Sequence, residues 1–564
     1  MNIPLSFGLY IVDNTDHFLI KILKSKIKAE AGYIFKKNKF LSIITAFWEC
    51  RVAMKCLLIT LLWFSGLAYR TLLAADWPQY RGPVHDGSSP ENLRTNWSTV
   101  PPRVVWRKSI SPAWSSISVS GGRAFTQVHR SVSGQSSEIC VALDADTGTE
   151  LWATPVDTAD YPDAGTGSTD GPRSTPTVEG NRVYVLTSYL KLFCLQADSG
   201  TVIWSRDFVT EFPGTEIIRW QNAASPLLVG DLIFFNSNVA NQTLTAVRKT
   251  DGATVWSGQT DAMTHASPTY ANIGGTPQVV FLTSRGLLGM EPETGTVLWR
   301  HGFTPSSTST AATPVVANDY LYASCAYSLG AWTAKVTRSG GTFLVGQTDY
   351  KRSSSYQNHW ATPVHHQGYL YSFVERGSRS LACFSLVGRT NTWTTSTVGS
   401  GNPGYGSLIK VGGKLLILTE RGELVLLEPN PAAYTEIARY PALGGKSWNH
   451  PAFSKGRIYA RSNSEIVALD TAVETVPLPN LRLTAQLLPE IGLWRLRVIT
   501  ESPVPLTANE GARIQIQLAS SLGSGLPDWR GIETVFTEKN GGLEVDMPLL
   551  DSPLFVRVLE RTGP

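Results

Sequence analysis

The sequence predicts an all-β protein: an eight-bladed β-propeller closed into a ring by its own N-terminal strand, followed by a small C-terminal β-sandwich-like domain. Three observations predict it. The 564-residue chain holds 49 Gly and 33 Pro but only 5 Met, a turn-rich composition poorly suited to a helical bundle. With 42% hydrophobic residues and 17 Trp it has far more apolar surface to bury than a disordered chain has. The third observation is an internal repeat in the forties of residues, each unit holding four short alternating apolar runs, which is the length and content of one propeller blade.

The clearest copies of the repeat are Ala142-Leu-Asp-Ala-Asp-Thr-Gly-Thr-Glu-Leu-Trp152, Cys194 to Trp204, Ala246 to Trp256 and Gly289 to Trp299. Weaker copies run from Lys335 to Val345 and from Cys383 to Trp393, and a degenerate one from Leu426 to Glu436. A second signature, Ser or Thr before Pro with His450 in that place in the last unit, precedes each copy, with prolines at 176, 226, 268, 314, 363 and 451. Ser407 and the Pro-less Ser115 to Val119 complete eight units. Within a unit the third run ends at the Asp-x-x-x-Gly turn, where glycine supplies a positive φ, and the fourth carries the Trp, read as packing between blades. The eighth unit, Asn449 to Asp470, has only three runs and no Trp, while Pro102 to Lys108 is a fourth run without a unit. Joining the two closes the ring and removes an open sheet edge.

Residues 1–75 read as a leader. From Met54 a basic start, an apolar run from Leu57 to Leu67 and small residues up to Ala75 have the layout of a secretory signal peptide over residues 54–75, cut near Ala75. The apolar run is too short to span a membrane, so no stable span is expected after cleavage, and residues 1–53 read as an over-extended start. The propeller is expected over 76–475. Pro477 to Pro479 reads as a linker, and alternation resumes over 480–564 as the C-terminal β domain. A secreted or periplasmic location follows.

The formal charge of +4 belongs to the unprocessed chain. Residues 1–75 carry ten Lys and Arg against four Asp and Glu, so the remainder is near −2. That balance, with no basic run, excludes a nucleic-acid partner. Four cysteines follow the leader, Cys140, Cys194, Cys325 and Cys383, none adjacent and none in a Cys-x-x-Cys pair, which excludes a zinc ribbon and covalent haem. Gly-x-Ser-x-Gly, His-Glu-x-x-His and phosphate-loop patterns are absent from the mature chain.

Connections between units are long at Asp157 to Pro172, Val209 to Gln221 and Thr348 to Asn358, and His129 to Ser137 is expected on the same side. One face is therefore loop-rich, and it receives the starts of the innermost strands around the channel. Trp114, Arg173, Asn222, His265, His359, Trp360, Tyr405, Trp448, Asn449 and His450 fall at those starts and form the candidate ligand site. Arg173 has the fork geometry for a carboxylate or phosphate, and the Trp and His rings suit a flat ligand. The three histidines lie on non-adjacent blades and are not expected to share a metal. Asp157, Asp160, Asp163 and Asp170 lack calcium-loop spacing and read as a solvated loop.

The Ala-x-Asp-x-x-Thr-Gly-x-x-x-Trp motif with its Ser/Thr-Pro strand resembles the quinoprotein-type (PQQ-like) propeller repeat over roughly residues 103–470, and Asp76-Trp-Pro-Gln-Tyr-Arg-Gly-Pro83 resembles the mature start of secreted bacterial members. The resemblance implies an eight-bladed propeller. Some relatives hold pyrroloquinoline quinone (PQQ) with calcium to oxidise alcohols or sugars, and others act without cofactor as envelope scaffolds, as in outer-membrane protein assembly. The adjacent cysteine pair of the large dehydrogenases is missing here, and no catalytic acid can be carried over. The expectation is thus a non-catalytic binding or scaffold protein without cofactor, meeting a protein partner or a small anionic ligand through its loop-rich face. The alternative is a PQQ-dependent alcohol or sugar dehydrogenase.

Overall fold

The structure, a computed structural model, describes residues 10–14, 17–22, 76–161, 170–304, 310–375, 379–388, 390–473, 481–488, 493–500, 514–519, 530–532, 536–539, 542–548 and 554–560. The chain divides into two compact units, Ala74–Glu474 and a second formed by Met1–Leu73 with Thr475–Pro564.

The unit Ala74–Glu474 is a succession of antiparallel sheets. In the first, Ser118–Ser120, Arg123–Val132, Gln135–Asp144 and Glu150–Thr158 pair in chain order. Eight such sheets are found among the described residues of this unit, and the one helix described is a single turn, Phe208–Glu211, capped by the Asp207 side chain. Neighbouring sheets touch through their innermost strands, and the last of them, Ala452–Ser454, touches Ser118–Ser120 of the first. The edge of that last sheet is filled by Arg103–Ser109, which pairs with Glu465–Asp470.

Four seams between sheets, those of Trp106, Trp152, Trp204 and Trp256, rest on one repeated contact. The register sets a small residue opposite the Trp: Ala142 faces Trp152, Cys194 Trp204, Ala246 Trp256, Gly289 Trp299, Cys383 Trp393 and Ala468 Trp106. A bulge follows immediately in all six, which twists the strand and turns the indole toward the next sheet. There the Trp lies on the turn glycine. A Cβ on Gly200, at φ +71°, would stand 2.6 Å from the Trp152 ring. The indole N–H completes the lock by donating across the seam, from Trp106 to the Ala145 carbonyl at 2.9 Å, Trp152 to Ala197 at 3.0 Å, Trp204 to Lys249 at 3.1 Å and Trp256 to Pro292 at 2.8 Å. In the degenerate unit the sizes are exchanged, Leu426 facing Ala438, so the pair keeps a large and a small partner.

The Ser/Thr-Pro signature works on the inner side. At four of the prolines the preceding hydroxyl accepts the backbone N–H of the matching residue one sheet earlier: Ser116 to Thr175 at 3.1 Å, Thr175 to Ser225 at 2.9 Å, Ser225 to Ser267 at 2.9 Å and Thr313 to Thr362 at 2.9 Å. His450 N–H closes this belt on Ser116 Oγ at 2.9 Å. The wholly buried Arg461 ties the last sheet to the first through Thr126 Oγ1 and the carbonyls of Gln127 and Ser111. Its guanidinium is bound by carbonyls and hydroxyls rather than by a carboxylate, and burial brings it down to about 9.

The segment from Asp76 onward crosses the ring. Trp77 exchanges backbone hydrogen bonds with Val119, the Pro78 carbonyl accepts from Val178, Arg81 donates to the carbonyls of Thr362 and Pro363, and Ser88–Ser89 pairs in parallel with Lys410–Val411. A single extended stretch thus meets sheets from both sides of the channel.

Three sequence expectations need correction here. His129 to Ser137 is not a loop, because Arg123–Val132 and Gln135–Asp144 continue pairing to a tight turn at Ser133-Gly134. In the weak unit, Gly330–Ser339 folds back on Thr342–Val345 through Gly340-Gly341, and Asp349–Lys351, expected in a connection, pairs with Ala331–Thr333. The acidic stretch is not simply solvated: the carboxyls of Asp157 and Asp170 are buried in ion pairs with Lys191 and Arg173. Asp163 and the whole signal-like stretch over 54–75 lie outside the described residues.

In the second unit, Leu481–Leu488, Leu493–Thr500, Gly542–Pro548 and Thr537–Lys539 form one sheet. Tyr10–Asn14, His17–Ile22, Leu554–Glu560, Ile514–Ala519 and Arg530–Ile532 form another. Leu496, Val498, Ile514, Ile516, Leu543 and Val556 share one apolar core. The pairing of His17–Ile22 with Tyr10–Asn14 and with Leu554–Glu560 was not expected for a stretch read as leader.

Candidate functional site

The inner strands start at one end of the channel, and there the unit holds a cavity of about 300 Å³. Trp114, Arg173, His265, His359, Trp360, Trp448 and His450 line it, seven of the ten residues expected at the site. Trp114 and Trp448 stack at 4.3 Å between ring centres, Trp360 lies 4.6 Å from Trp448, and His359 meets Trp360 edge-on at 4.4 Å. The rings come together because the first, sixth and eighth inner strands each place a Trp two residues ahead of the belt position.

The other three stand apart from the cavity. Asn222 folds back on its own loop, donating to the Thr187 and Ala224 carbonyls and accepting the Ala224 N–H. Asn449 donates to the Ser115 carbonyl at 2.7 Å and joins the last sheet to the first. Tyr405 stands behind Trp360 and His359, with Arg379 over its ring at 3.6 Å and bonded to its hydroxyl. Arg173 also departs from expectation. Its guanidinium is paired with Asp170 at 2.9 Å and donates to the Trp220 carbonyl, so the cation expected to seize an anion is already neutralised. The Asp170 carboxylate in turn accepts from the Trp114 indole and the Gly171 N–H.

Sequence reasoning missed Tyr80, Trp220, Tyr327 and Asp170. Tyr80 belongs to the channel-crossing segment and closes the cavity from that side, edge-on to His450 at 5.2 Å. Its signal was the Trp-Pro-Gln-Tyr-Arg stretch, which carries no periodicity. Trp220 and Tyr327 reach in from connections between strands.

Besides the Arg173–Asp170 pair, His359 Nδ1 lies 2.7 Å from Glu375 Oε1, and the other two lining histidines are held neutral. Burial, reinforced by Arg173, lowers His265 to about 4, against the pull of nearby Arg219 and Gln221 backbone. Burial, reinforced by Arg81, lowers His450 to about 3. Both rings are neutral at physiological pH. Hydrogen-bonding capacity is left over in the walls: both His265 nitrogens, His450 Nε2 and the indole nitrogens of Trp360 and Trp448 are buried without a hydrogen-bond partner. Positive charge stands at the margin instead, with Arg219 over Trp220 at 5.0 Å and Lys446 over Trp448 at 4.7 Å.

Residues 135–361 match the family model described as outer membrane protein assembly factor BamB. The chain is 27% identical over 245 residues to the outer membrane protein assembly factor BamB of Moranella endobia, a match over 37% of this chain and 57% of that one. It therefore spans little more than half the length of that relative. Among solved structures, quinohemoprotein alcohol dehydrogenase from Comamonas testosteroni aligns with a TM-score of 0.53 at 12% identity, over 74% of this chain and 84% of that one. BamB from Moraxella catarrhalis aligns at 0.46 and 15%, over 66% and 99%. Residues 135–361 thus carry PQQ-like repeats, on a fold of the β-propeller type.

The residues of this PQQ-like propeller do not fit the quinone with calcium. That group needs free carboxylate and carbonyl oxygens for the ion and cations for its own carboxylates. The acidic residue lining the cavity, Asp170, is occupied by Arg173, Trp114 and Gly171, and the arginine by Asp170. Among the described residues no group of three His, Cys, Asp or Glu is placed to hold a metal, and all four described cysteines are separate and buried. No helix of the described residues is long and apolar enough to cross a membrane.

Proposed function

We propose that the protein is a non-catalytic binding or scaffold component of the bacterial envelope, exported by a signal peptide at 54–75 cut near Ala75, and engaging a protein partner through the loop-rich face around the cavity. On this reading the eight sheets of residues 76–475 are the blades of one closed propeller, and residues 480–564 form an accessory β-sandwich.

The observation that carries the reading is the mutual neutralisation of Arg173 and Asp170. The charged pair lining the cavity is engaged with itself, so neither Arg173 nor Asp170 is free to act as a general acid or base or to hold an ion. The match to outer membrane protein assembly factors supports it. The alternative, a PQQ-dependent alcohol or sugar dehydrogenase, asks for a donor set that these residues lack.

Two measurements test the proposal. Titration of the protein with pyrroloquinoline quinone and calcium should give no spectral change and no dye reduction. Photo-crosslinkers placed at Arg219, Tyr327 and Lys446 should give a discrete adduct in cells, while crosslinkers at Gly121 and Gly180 on the opposite turns should not. Tight quinone binding, or equal labelling at both sets of positions, overturns it.

A further inference from the structure

The cavity has a chemistry more specific than a general interaction surface. Its floor and walls are aromatic: Tyr80, Trp114, Trp220, Trp360 and Trp448. Such faces attract a ligand with apolar or polarised C–H surfaces. They do not favour a cation, because Lys446 and Arg219 already lie over two of the rings.

Polar groups decide between the remaining ligands. Ser116, Ser225 and Ser267 line the cavity, and each Oγ accepts a backbone N–H of the belt, which leaves its own proton to donate. The Arg173–Asp170 pair offers donors and acceptors side by side with no net charge, a pattern that matches two neighbouring hydroxyls. His265 and His450 line the same cavity with ring nitrogens that lack a partner. A purely apolar occupant, such as the aromatic side chain of a partner protein, would leave these groups buried and unpaired, which is costly. An anion would have to compete with Asp170 for the arginine.

We infer that the cavity is a binding site for a neutral, hydroxyl-rich ring: one saccharide unit of a glycan, packed against the aromatic wall of Trp114, Trp360 and Trp448 and hydrogen-bonded by the serine belt and the Arg173–Asp170 pair. The volume of about 300 Å³ lies at the small end of ligand pockets and suits one ring. The site binds its sugar without reacting with it, and the inference rests on the non-catalytic reading above.

The test is calorimetry and intrinsic tryptophan fluorescence of the full chain with glucose, N-acetylglucosamine and maltose, alongside citrate, tetramethylammonium and N-acetyltryptophanamide. Saturable binding of at least one sugar is expected. Trp448→Ala should weaken it at least tenfold while cooperative melting is retained, and Trp360→Phe, which keeps a ring but loses the indole N–H, about threefold. Should Trp448→Ala not fold, Trp360→Phe carries the test. No response to any sugar, a response only to the anion, the cation or the tryptophan amide, or sugar binding indifferent to both variants overturns the inference. Its failure is separable from that of the scaffold reading, which is judged by the crosslinking pattern and the quinone titration.

Discussion

Tryptophan is used in two opposite ways in this molecule. At the seams Trp106, Trp152, Trp204 and Trp256 each donate their N–H to a carbonyl of the next sheet. At the channel mouth Trp360 and Trp448 are packed against other rings and their N–H groups are buried without a partner. A seam tryptophan is fully satisfied by the fold, so its work is finished when the ring closes. Trp114 at the mouth is tied to Asp170, but Trp360 and Trp448 are held by packing and retain unused hydrogen-bonding capacity. The difference teaches that residue type at a repeat position does not identify a site, whereas an unmet polar group in a shaped cavity does.

That comparison can be broken most severely at the seam that closes the ring. Removing residues 76–108 takes away the strand that fills the edge at Glu465–Asp470 and Trp106 with it, and cooperative unfolding should be lost; a sharp, unchanged melting transition would mean the ring does not depend on this strand. Trp152→Ala should cost about 3–5 kcal/mol in denaturant unfolding of the propeller, as large buried aromatics do. Trp448→Ala should cost less than half of that, because one side of its ring borders a cavity, and equal losses would erase the distinction between seam and mouth.

A smaller effect comes from Glu138, wholly buried beneath the loop-rich side. Its carboxylate accepts from Tyr161 Oη at 2.8 Å and Ser188 N–H at 3.1 Å, yet burial pushes it up to about 7. Between its unfolded value near 4.5 and about 7 the folded state holds a proton that the unfolded chain has released, so stability falls as pH rises through that window. The shift corresponds to at most about 3 kcal/mol. Glu138→Gln should flatten that part of the pH–stability curve, and an unaltered slope would show that the group titrates normally. His265 and His450 act in the opposite sense: both are held neutral by burial, so stability is present above the unfolded value of 6.5 and lost as pH falls toward 4 and 3. The smallest effect is expected for Glu150→Ala, which removes an exposed pair with Arg130 and should change stability by less than about 1 kcal/mol.

Much of the fold was legible because a repeat states the same local answer several times. The Asp-x-x-x-Gly turn before Trp, the Ser/Thr-Pro start and the orphan run at Pro102 to Lys108 each carry a period or leave a gap in one. The site was legible only in part. Position at the start of an inner strand pointed to Trp114, Trp360 and Trp448, but the same rule also selected Asn222 and Asn449, whose amides the loops use for themselves. Arg173 looked free because its partner Asp170 sits three residues away in a stretch that reads as a solvated acidic loop.

Sequence alone therefore determined the local units: strand, turn, small residue opposite Trp, and hydroxyl before proline, all of them short-range patterns repeated at a fixed spacing. Tertiary structure decided what depends on distance across the ring. It brought Tyr80 to the far end of the channel, paired Arg173 with Asp170 and left the indoles of Trp360 and Trp448 without acceptors. The physical reason is that hydrogen bonding and charge are settled by whichever groups arrive within about 3 Å of one another, and around a closed ring those groups come from residues hundreds of positions apart.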